Sequence, residues 1–462
     1  MIRVFKHYLP HAVLLLGIVD ALFLMVAGEL GWVIRAHQIG MHVTPLTTRL
    51  PQLISFTLAL QIALIAVGGY QAASFLSLRF AAARLAVAIV LGTIFLSMVF
   101  FLFPPLALWR SNLLYAMLLA ILLLVTVRAV LGETLGGERF KPRIVVLGAG
   151  ARAAQIRDLA DQPGINFVVA GFVAMGEVDP MVADAAPREQ IDNLAEHVIE
   201  CRATEVVLAL QERRNALPLK DLLRVKTTGV TVSDISTFLE RETGRIDLNS
   251  VNPSWLIFSD GFASGQMVSS FFKRGFDIIA SLSLLILTLP VIIVFAILIK
   301  IESKGPAFYR QRRVGLFNES FEILKLRSMR QDAEVGDTAV WAAEKDPRIT
   351  RIGRIIRKVR IDELPQTWTV LKGEMSFVGP RPERPQFVRQ LEEELPYYAE
   401  RHMVKPGITG WAQINYPYGA SIEDARHKLE YDLYYAKNYS PFLDLLILIQ
   451  TLRVVLWPTG AR

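Results

Sequence analysis

Residues 278–301 read IIASLSLLILTLPVIIVFAILIKI, an apolar segment with Pro290 near its centre. Basic residues flank the segment on both sides: Lys273 and Arg274 before it, and Lys300, Lys304 and Arg310 after it. Positive flanks favour the cytoplasmic side, and an interior proline removes a helix hydrogen bond. We therefore expect a re-entrant hairpin that turns near Pro290 and leaves the membrane by the face it entered. Hydropathy alone favours the alternative, a fifth crossing with a tolerated proline.

Four other apolar stretches precede this segment and approach the roughly 20 residues that cross a bilayer. They cover residues 11–33, 53–76, 85–106 and 113–130, and they predict a four-helix transmembrane bundle within residues 1–135. With 52% hydrophobic residues in a chain of 462, a membrane protein is expected. The basic cluster after the fourth stretch should be cytoplasmic; it consists of Arg128, Arg139, Lys141 and Arg143. The net charge is +7, and the Lys and Arg residues fall next to the apolar stretches. This position favours binding to anionic lipid over binding to nucleic acid.

A Rossmann-like α/β domain is predicted for residues 143–260. An apolar run leads into Gly148-Ala149-Gly150-Ala151-Arg152-Ala153, which resembles the glycine-rich turn of a dinucleotide fold. Strand-like runs at 167–173, 205–210 and 230–232 alternate with helical segments. The ribose-binding acid expected about 20 residues past the glycines has no convincing candidate, since Glu177 lies in a loop beyond a predicted strand end. A structural or regulatory role is therefore favoured over an oxidoreductase. Cys201 is the only cysteine, which excludes an intramolecular disulfide and a cysteine-based metal cluster.

Two basic segments after the hairpin are candidates for binding phosphate. Lys325 and Arg327 alternate with leucines, so a strand would project both cations from one face, where they could hold a diphosphate. For Arg310, Arg312 and Arg313 a solvated face or membrane anchor is favoured. Residues 346–360 carry isoleucines at helical spacing among basic residues, which predicts an amphipathic helix on the lipid surface. Residues 442–457 predict a further interfacial helix.

Two adjacent acids, Asp362 and Glu363, follow that basic helix. Asp362 is a plausible N-cap of a helix over residues 366–372, with Pro365 in its first turn and Gly373 ending it. The helix start would attract phosphate and keep Asp362 ionised. On its own, this motif would more often be an ordinary capping acid with a second acid in the first turn.

Two rigid loops follow the acids. One is Gly379-Pro380-Arg381-Pro382, where the prolines hold Arg381 in a stiff turn, and the other is Lys405-Pro406-Gly407-Ile408-Thr409-Gly410-Trp411. With Asp277, the Pro290 segment and the Asp362-Glu363 pair, these motifs closely resemble the bacterial sugar transferases known as monotopic phosphoglycosyl transferases or polyprenyl-phosphate hexose-1-phosphate transferases. The resemblance spans residues 270–462, which would form a mainly α monotopic catalytic domain. The preceding parts resemble the family's long form, in which they are dispensable to the chemistry and associated with dimers.

The resemblance implies transfer of a hexose 1-phosphate from a UDP-sugar to undecaprenyl phosphate, with release of UMP and with Mg²⁺ as cofactor. An ionised carboxylate can attack phosphorus without a general base, so Asp362 is the expected nucleophile. Glu363 is assigned to metal binding or orientation, and Mg²⁺ to Asp362 or Glu363 together with the diphosphate. The residues expected to offset phosphate charge are Lys325, Arg327, Arg357 and Arg381. The expected setting is the cytoplasmic face of a bacterial inner membrane, in a homodimer serving exopolysaccharide or glycoconjugate synthesis, with UDP-glucose or UDP-galactose as donor.

Two other functions compete with this interpretation. A membrane-tethered, NAD-dependent nucleotide-sugar epimerase or dehydratase would also combine spans with a Rossmann domain. Such enzymes resemble short-chain reductases, which use a tyrosine followed four residues later by a lysine, and no tyrosine of this chain has that partner. A non-enzymatic scaffold of polysaccharide assembly would leave the last third of the chain unexplained.

Overall fold

The computed structural model describes residues 2–4, 7–9, 11–42, 45–70, 78–135, 141–162, 165–176, 180–211, 217–251, 267–330, 348–417, 419 and 421–456. The predictions made for Arg139, for Glu177 and for the domain end near residue 260 lie outside this set. Apart from a few N-terminal residues, the chain divides into two compact units, the first reaching Thr243 and the second starting at Gly244.

The first unit begins with two short paired strands and four long apolar helices. The strands are β1 (Ile2–Val4) and β2 (His7–Leu9), and the helices are α1 (His11–Gln38), α2 (Leu46–Val67), α3 (Leu78–Leu102) and α4 (Arg110–Leu135). A 3₁₀ turn, Pro104–Leu106, lies between α3 and α4. All four predicted apolar stretches are therefore largely helical. Together with one later helix they are long and apolar enough to cross a membrane.

Helices α1 to α4 pack around one cluster of buried apolar side chains, including Leu24, Phe56 and Leu124. Buried ion pairs also join them. Arg128 on α4 donates from both terminal nitrogens to the two carboxylate oxygens of Asp20 on α1, at 2.9 and 2.7 Å. Arg128 was expected in the cytoplasmic cluster after the fourth span. Instead it lies inside α4 with its charge matched by Asp20, so it does not support the predicted orientation.

The rest of the first unit is an α/β fold with a five-stranded parallel sheet in the order β5-β4-β3-β6-β7. Its strands are β3 (Arg143–Leu147), β4 (Val168–Ala174), β5 (Ala186–Pro187), β6 (Glu205–Leu208) and β7 (Thr231–Asp234). Its helices are α5 (Ala151–Ala160), α6 (Leu194–Glu200), α7 (Leu219–Thr227) and α8 (Ile235–Thr243), and a 3₁₀ turn covers Arg188–Gln190. The predicted strand runs are confirmed. Gly148 has a positive φ of 131°, and a Cβ there would approach the Ala209 carbonyl oxygen to 2.9 Å, which accounts for the glycine.

The second unit contains one long helix, α9 (Met267–Glu302), with Pro290 inside it. The backbone stays helical through Pro290, so any change of direction there is a bend within one helix. An antiparallel hairpin follows, with β8 (Phe308–Val314), a 3₁₀ turn at Leu316–Asn318 and β9 (Ser320–Leu326). The basic amphipathic helix is α10 (Arg351–Lys358), shorter than predicted because Thr350 caps its start by accepting a hydrogen bond from the Gly353 amide at 2.9 Å.

The remaining elements surround the two acids. They are a 3₁₀ turn (Ile361–Glu363), α11 (Gln366–Lys372), β10 (Ser376–Val378), α12 (Pro385–Glu394), a 3₁₀ turn (Ala399–Met403), β11 (Gly407–Thr409), α13 (Trp411–Asn415), α14 (Ile422–Asn438) and α15 (Pro441–Leu456). Helix α11 has the predicted bounds and ends at Gly373 in the left-handed conformation. Its N-cap is Pro365 and not Asp362, which was the predicted cap. Asp362 instead belongs to the separate 3₁₀ turn, because the chain makes that turn before α11 begins.

Candidate active site

The two predicted catalytic acids lie on the 3₁₀ turn Ile361–Glu363, directly after helix α10. Arg360, between the helix and the turn, has a left-handed backbone with φ 59°, a conformation that non-glycine residues adopt infrequently. This reversal separates α10 from the turn. Asp362 is 9% exposed, so its side chain lies inside the fold and not on an open loop.

Glu363 is the paired member of the two acids. Its Oε1 accepts hydrogen bonds from Lys325 Nζ and from Arg381 Nη2, each at 3.2 Å. Its Oε2 accepts from Arg360 Nη1 at 3.4 Å. Burial alone would raise the pKa of Glu363, but Arg381, Lys325 and Arg360 lower it well below the usual range of a glutamate. Glu363 is therefore a fixed negative charge that gathers the cations.

Asp362 has a different environment. Its Oδ1 is buried and has no hydrogen-bond partner among the described residues. Burial raises the pKa of Asp362 above the ordinary aspartate value, and the charge of Glu363 raises it further, whereas Lys325, Arg357 and Arg360 act in the lowering direction. The sequence predicted that a helix start would keep Asp362 ionised. In the structure Asp362 caps no helix, and although the neighbouring cations favour its ionised form, burial and the Glu363 charge leave its pKa raised.

Three of the four predicted phosphate ligands act on the acids. Lys325 on β9 and Arg381 bond to Glu363, and Arg357 on α10 favours the ionised form of Asp362. Burial lowers the pKa of Lys325, while Glu363 raises it. The Lys325 ammonium is thus largely desolvated beside its carboxylate partner, where its charge acts strongly on nearby anions.

Arg327, the fourth predicted ligand, lies elsewhere. It follows the end of β9, is 6% exposed, and bonds to the end of helix α9. Its Nη1 donates to the Lys304 carbonyl at 2.8 Å, and its Nη2 donates to the carbonyl and hydroxyl oxygens of Ser303, each at 2.9 Å. The expectation that Arg327 and Lys325 share one phosphate-binding face is not met, because the strand ends between them. A phosphate-binding role for Arg327 stays a prediction.

Several contributing residues were not singled out from the sequence. Arg313, expected on a solvated face, is largely buried, and its Nη1 donates to the Pro382 carbonyl at 3.0 Å. Arg401 and Asp432 form a buried pair at 2.7 Å next to the Arg381 turn. No local pattern reveals these contacts, because their partners are distant in sequence. The basic run around Arg313 was visible, but periodicity could not show which of its members is buried.

A divalent cation can be tested against these side chains. Within the described part of the chain, no group of three or more His, Cys, Asp or Glu residues is arranged to hold a metal. Mg²⁺ commonly uses only one or two carboxylates together with substrate phosphates. Both Glu363 oxygens are bonded to cations, whereas Asp362 Oδ1 has no partner. The site therefore fits a cation held by Asp362 and substrate phosphates better than one held by both acids.

The geometry is suited to reaction with a phosphate-bearing substrate. A buried carboxylate, one oxygen of which has no hydrogen-bond partner among the described residues, lies beside several cations. Those cations would attract and neutralise a diphosphate. Such a carboxylate can act as a nucleophile at phosphorus, because it needs no base to activate it.

Known proteins share sequence with this part of the chain. Residues 268–458 match the family model described as "Bacterial sugar transferase". The chain is 44% identical over 241 residues to a UDP-N-acetylgalactosamine-undecaprenyl-phosphate N-acetylgalactosaminephosphotransferase of Aeromonas hydrophila, a match that covers 52% of this chain and 56% of that protein. It is 44% identical to an undecaprenyl-phosphate glucose phosphotransferase of Komagataeibacter xylinus, over 39% of this chain and 35% of that protein.

A third relative matches over a longer stretch. It is a UDP-glucose:undecaprenyl-phosphate glucose-1-phosphate transferase of Escherichia coli (strain K12), 32% identical over 322 residues, which are 68% of this chain and 67% of that protein. The chain thus spans about half the length of the first relative, about a third of the second and two thirds of the third.

Proposed function

Because the chain belongs to the bacterial sugar transferase family, we propose that it transfers a hexose 1-phosphate from a UDP-sugar to undecaprenyl phosphate and releases UMP. The observation that carries the proposal is the asymmetry of the two acids. Asp362 has a buried oxygen without a hydrogen-bond partner among the described residues, while Glu363 is bonded to Lys325, Arg381 and Arg360. In the cell this would be the first membrane step of exopolysaccharide or glycoconjugate synthesis.

The first step uses Asp362 as the nucleophile. Its carboxylate oxygen attacks the phosphorus that carries the sugar, the bond from that phosphorus to the bridging oxygen breaks, and the bridging oxygen leaves with UMP. The sugar phosphate remains on Asp362 as an acyl phosphate. Lys325, Arg357 and Arg381 would offset the charge that develops on the diphosphate oxygens. Burial raises the pKa of Asp362, and the cations oppose that effect and favour the reactive, ionised form.

The second step uses undecaprenyl phosphate, which is itself an anionic nucleophile. Its phosphate oxygen attacks the same phosphorus, the acyl phosphate bond breaks, and the Asp362 carboxylate is restored. Mg²⁺ bound by Asp362 and the substrate phosphates would supply additional charge neutralisation. Glu363 would orient Lys325 and Arg381 through both steps, because it is their shared acceptor.

We further propose that helix α9 is re-entrant, so that the site lies at a membrane surface where it can meet both substrates. Contacts at both ends of α9 support this. Near its start, Lys273 bonds to Asp444 at 2.6 Å and Arg274 donates to the Val370 carbonyl at 2.8 Å. At its end, Glu302 accepts from the Arg351 amide at 2.7 Å. A straight crossing would put these ends on opposite membrane surfaces, since a helix of 36 residues is about 54 Å long.

The apolar face of α9 also fits this proposal. Around Pro290, Ile286 is 74% and Leu287 is 76% exposed, which suits lipid contact at the turning point. Single cysteines placed at Ser270 and Lys304, in a chain with Cys201→Ser, should be labelled by an impermeant thiol reagent from the same side of membrane vesicles. Labelling from opposite sides would establish a crossing instead.

The orientation, the assembly and the sugar are parts of the same proposal. The catalytic unit would face the cytoplasm of a bacterial inner membrane, where UDP-sugars are made, with the four N-terminal helices as a transmembrane bundle and a homodimer as the assembly. Relatives act on N-acetylgalactosamine and on glucose by their names, so the donor panel should contain UDP-glucose, UDP-galactose and UDP-N-acetylgalactosamine.

The test is UMP release by the purified full chain with undecaprenyl phosphate and each UDP-sugar. Asp362→Ala should lower the rate by about 10³-fold or more, whereas Ala at the exposed Glu392 should not change it. Without undecaprenyl phosphate, wild type should release a single equivalent of UMP and carry a phosphosugar on Asp362, detectable by mass spectrometry. Undiminished release by Asp362→Ala would refute the mechanism, and NAD-dependent conversion of the sugar would favour a nucleotide-sugar epimerase or dehydratase.

A further inference from the structure

The turn that carries Arg381 is held through three consecutive carbonyl oxygens. The Pro380 oxygen accepts from the Gly407 amide at 2.9 Å, the Arg381 oxygen from Arg401 Nη2 at 3.0 Å, and the Pro382 oxygen from Arg313 Nη1 at 3.0 Å. Prolines 380 and 382 have no N–H to donate. The fold therefore fixes this turn largely through the hydrogen bonds that these carbonyl groups accept.

Of the two arginine donors, Arg401 is the more deeply buried. It is 4% exposed, and its Nε and Nη2 both donate to Asp432 Oδ2, at 3.0 and 2.7 Å. Its Nη1 donates to the Tyr398 hydroxyl at 3.0 Å. With the bond to the Arg381 carbonyl, every nitrogen of the guanidinium has a partner. Asp432, 2% exposed on helix α14, supplies the opposite charge that allows Arg401 to be buried.

The Arg401–Asp432 pair is connected to the acid Glu363 through Arg381. Arg401 bonds to the main chain of Arg381, and the Arg381 side chain bonds to Glu363 at 3.2 Å. A continuous series of charge-assisted contacts thus runs from the core to the acid pair, through Asp432, Arg401, Arg381 and Glu363. A shift of about 1 Å in a positioning group can cost on the order of 10²-fold in rate.

We propose that Arg401 and Asp432 are positioning residues for the transfer reaction, which fix the Arg381 main chain so that its guanidinium is aimed at Glu363 and at the substrate diphosphate. The inference rests on the proposed function for its catalytic consequence. Its structural content, that Arg401 immobilises the Arg381 turn, is independent of any activity.

A double-mutant cycle tests the catalytic consequence. Arg401→Lys keeps the positive charge for Asp432, but an ammonium cannot reproduce the planar fork that reaches Asp432, Tyr398 and the Arg381 carbonyl together. Arg401→Lys should lower kcat for UMP release about tenfold in the wild-type background and less than about twofold in an Arg381→Ala background. If Arg401→Lys does not fold, Tyr398→Phe replaces it, with an expected loss of about threefold that also disappears with Arg381→Ala.

Hydrogen exchange tests the structural content without reference to turnover. Exchange of the peptide over residues 379–384 should accelerate about tenfold in Arg401→Lys, while the peptide over β9 should not change. The matched control is Arg241→Lys, because Arg241 also donates two hydrogen bonds to one carboxylate, that of Glu205, at 3.0 and 2.8 Å in the other unit. It should change neither kcat nor exchange at residues 379–384.

Two results would overturn the inference: equal losses from Arg401→Lys with and without the Arg381 side chain, or unchanged exchange of the Arg381 turn. Absence of UMP release by wild type would instead remove the proposed function, and the exchange result would still decide whether Arg401 holds the turn.

Discussion

Two aspartates of this chain are buried among basic side chains, and they differ in whether their oxygens have hydrogen-bond partners. Asp20, between the N-terminal helices, is fully buried, and both of its oxygens accept from Arg128. Asp362, in the catalytic unit, is almost as buried, but its Oδ1 has no hydrogen-bond partner among the described residues. The first cluster contains a carboxylate that its partner satisfies completely. The second contains one that the fold leaves open beside a group of cations.

The difference distinguishes a structural ion pair from the proposed reactive site. A buried ion pair with all its bonds made contributes little reactivity, because neither charge can reach a third group without losing its partner. A buried carboxylate with an open oxygen costs the folded state free energy, and proteins keep such groups mainly where function requires them. In the second unit Glu363 makes the ion pairs, which would leave Asp362 available as the proposed nucleophile.

The largest expected effect is on the structural pair. Arg128→Met should lower the free energy of unfolding by about 3–5 kcal/mol, because it leaves the Asp20 charge buried without a partner. Denaturation in mixed detergent micelles, followed by circular dichroism, measures the change. UMP release per folded molecule should stay within about twofold of wild type, because the pair plays no part in the proposed chemistry.

Two further variants complete this test. Asp20→Leu combined with Arg128→Met should recover most of the stability, since an apolar pair of similar size often replaces a buried ion pair without loss. Arg110→Met, at an exposed position at the start of α4, should change the stability little. Equal destabilisation by Arg128→Met and Arg110→Met would show that the Asp20 pair is not buried as described.

The next largest effect is expected at Glu363. Glu363→Gln removes the negative charge that Lys325 and Arg381 share and replaces one carboxylate oxygen with an amide donor, so both cations are held less firmly. We expect kcat for UMP release to fall about 10²-fold, less than for Asp362→Ala. Glu374→Gln, an exposed acid on the following turn, is the matched control and should leave kcat unchanged. Equal losses from Glu363→Gln and Asp362→Ala would contradict the division of roles between the acids.

The contrast between the clusters also shows what the sequence could predict. The apolar stretches, the parallel strands and helix α11 with its Gly373 stop follow from local periodicity and turn chemistry, so their positions were predictable. The partner of Arg128 lies 108 residues away, and the Arg401–Asp432 pair joins residues 31 apart. Hydropathy contains no information about such pairs, because they depend on how elements pack.

The same limit applies inside the site. The acids and three of the nearby cations were identified from residue type and order, but their division into a paired and an open carboxylate was not. Arg327 appeared equivalent to Lys325 in the sequence, yet the end of β9 separates them. The predicted capping role of Asp362 failed because the chain turns once, through the left-handed Arg360, before helix α11 starts.

A smaller effect is expected in the pH dependence. The proposed nucleophile must be ionised, so kcat/KM should fall with decreasing pH through the pKa of Asp362, which burial and the Glu363 charge raise above the ordinary aspartate value. Glu363→Gln removes a raising charge and should move this acidic limb to lower pH. Lys325→Met removes a lowering charge and should move it to higher pH. Shifts of both variants in one direction would show that the limb belongs to another group.

The smallest expected effect is a gain in stability when Asp362 is made neutral, and the opposite change is expected at Asp20. The pKa of Asp362 is raised in the folded state, so folding favours its protonated form, and ionisation weakens the folded state as the pH rises through that pKa. Asp362→Asn, neutral and of the same shape, should therefore raise the midpoint of thermal unfolding at neutral pH while abolishing activity, and the gain should vanish near pH 4. Asp20→Asn should lower the midpoint at neutral pH, because it removes the charge that Arg128 needs. If both variants shifted the midpoint downwards, Asp362 would be a satisfied structural carboxylate like Asp20, and its assignment as the nucleophile would lose its physical basis.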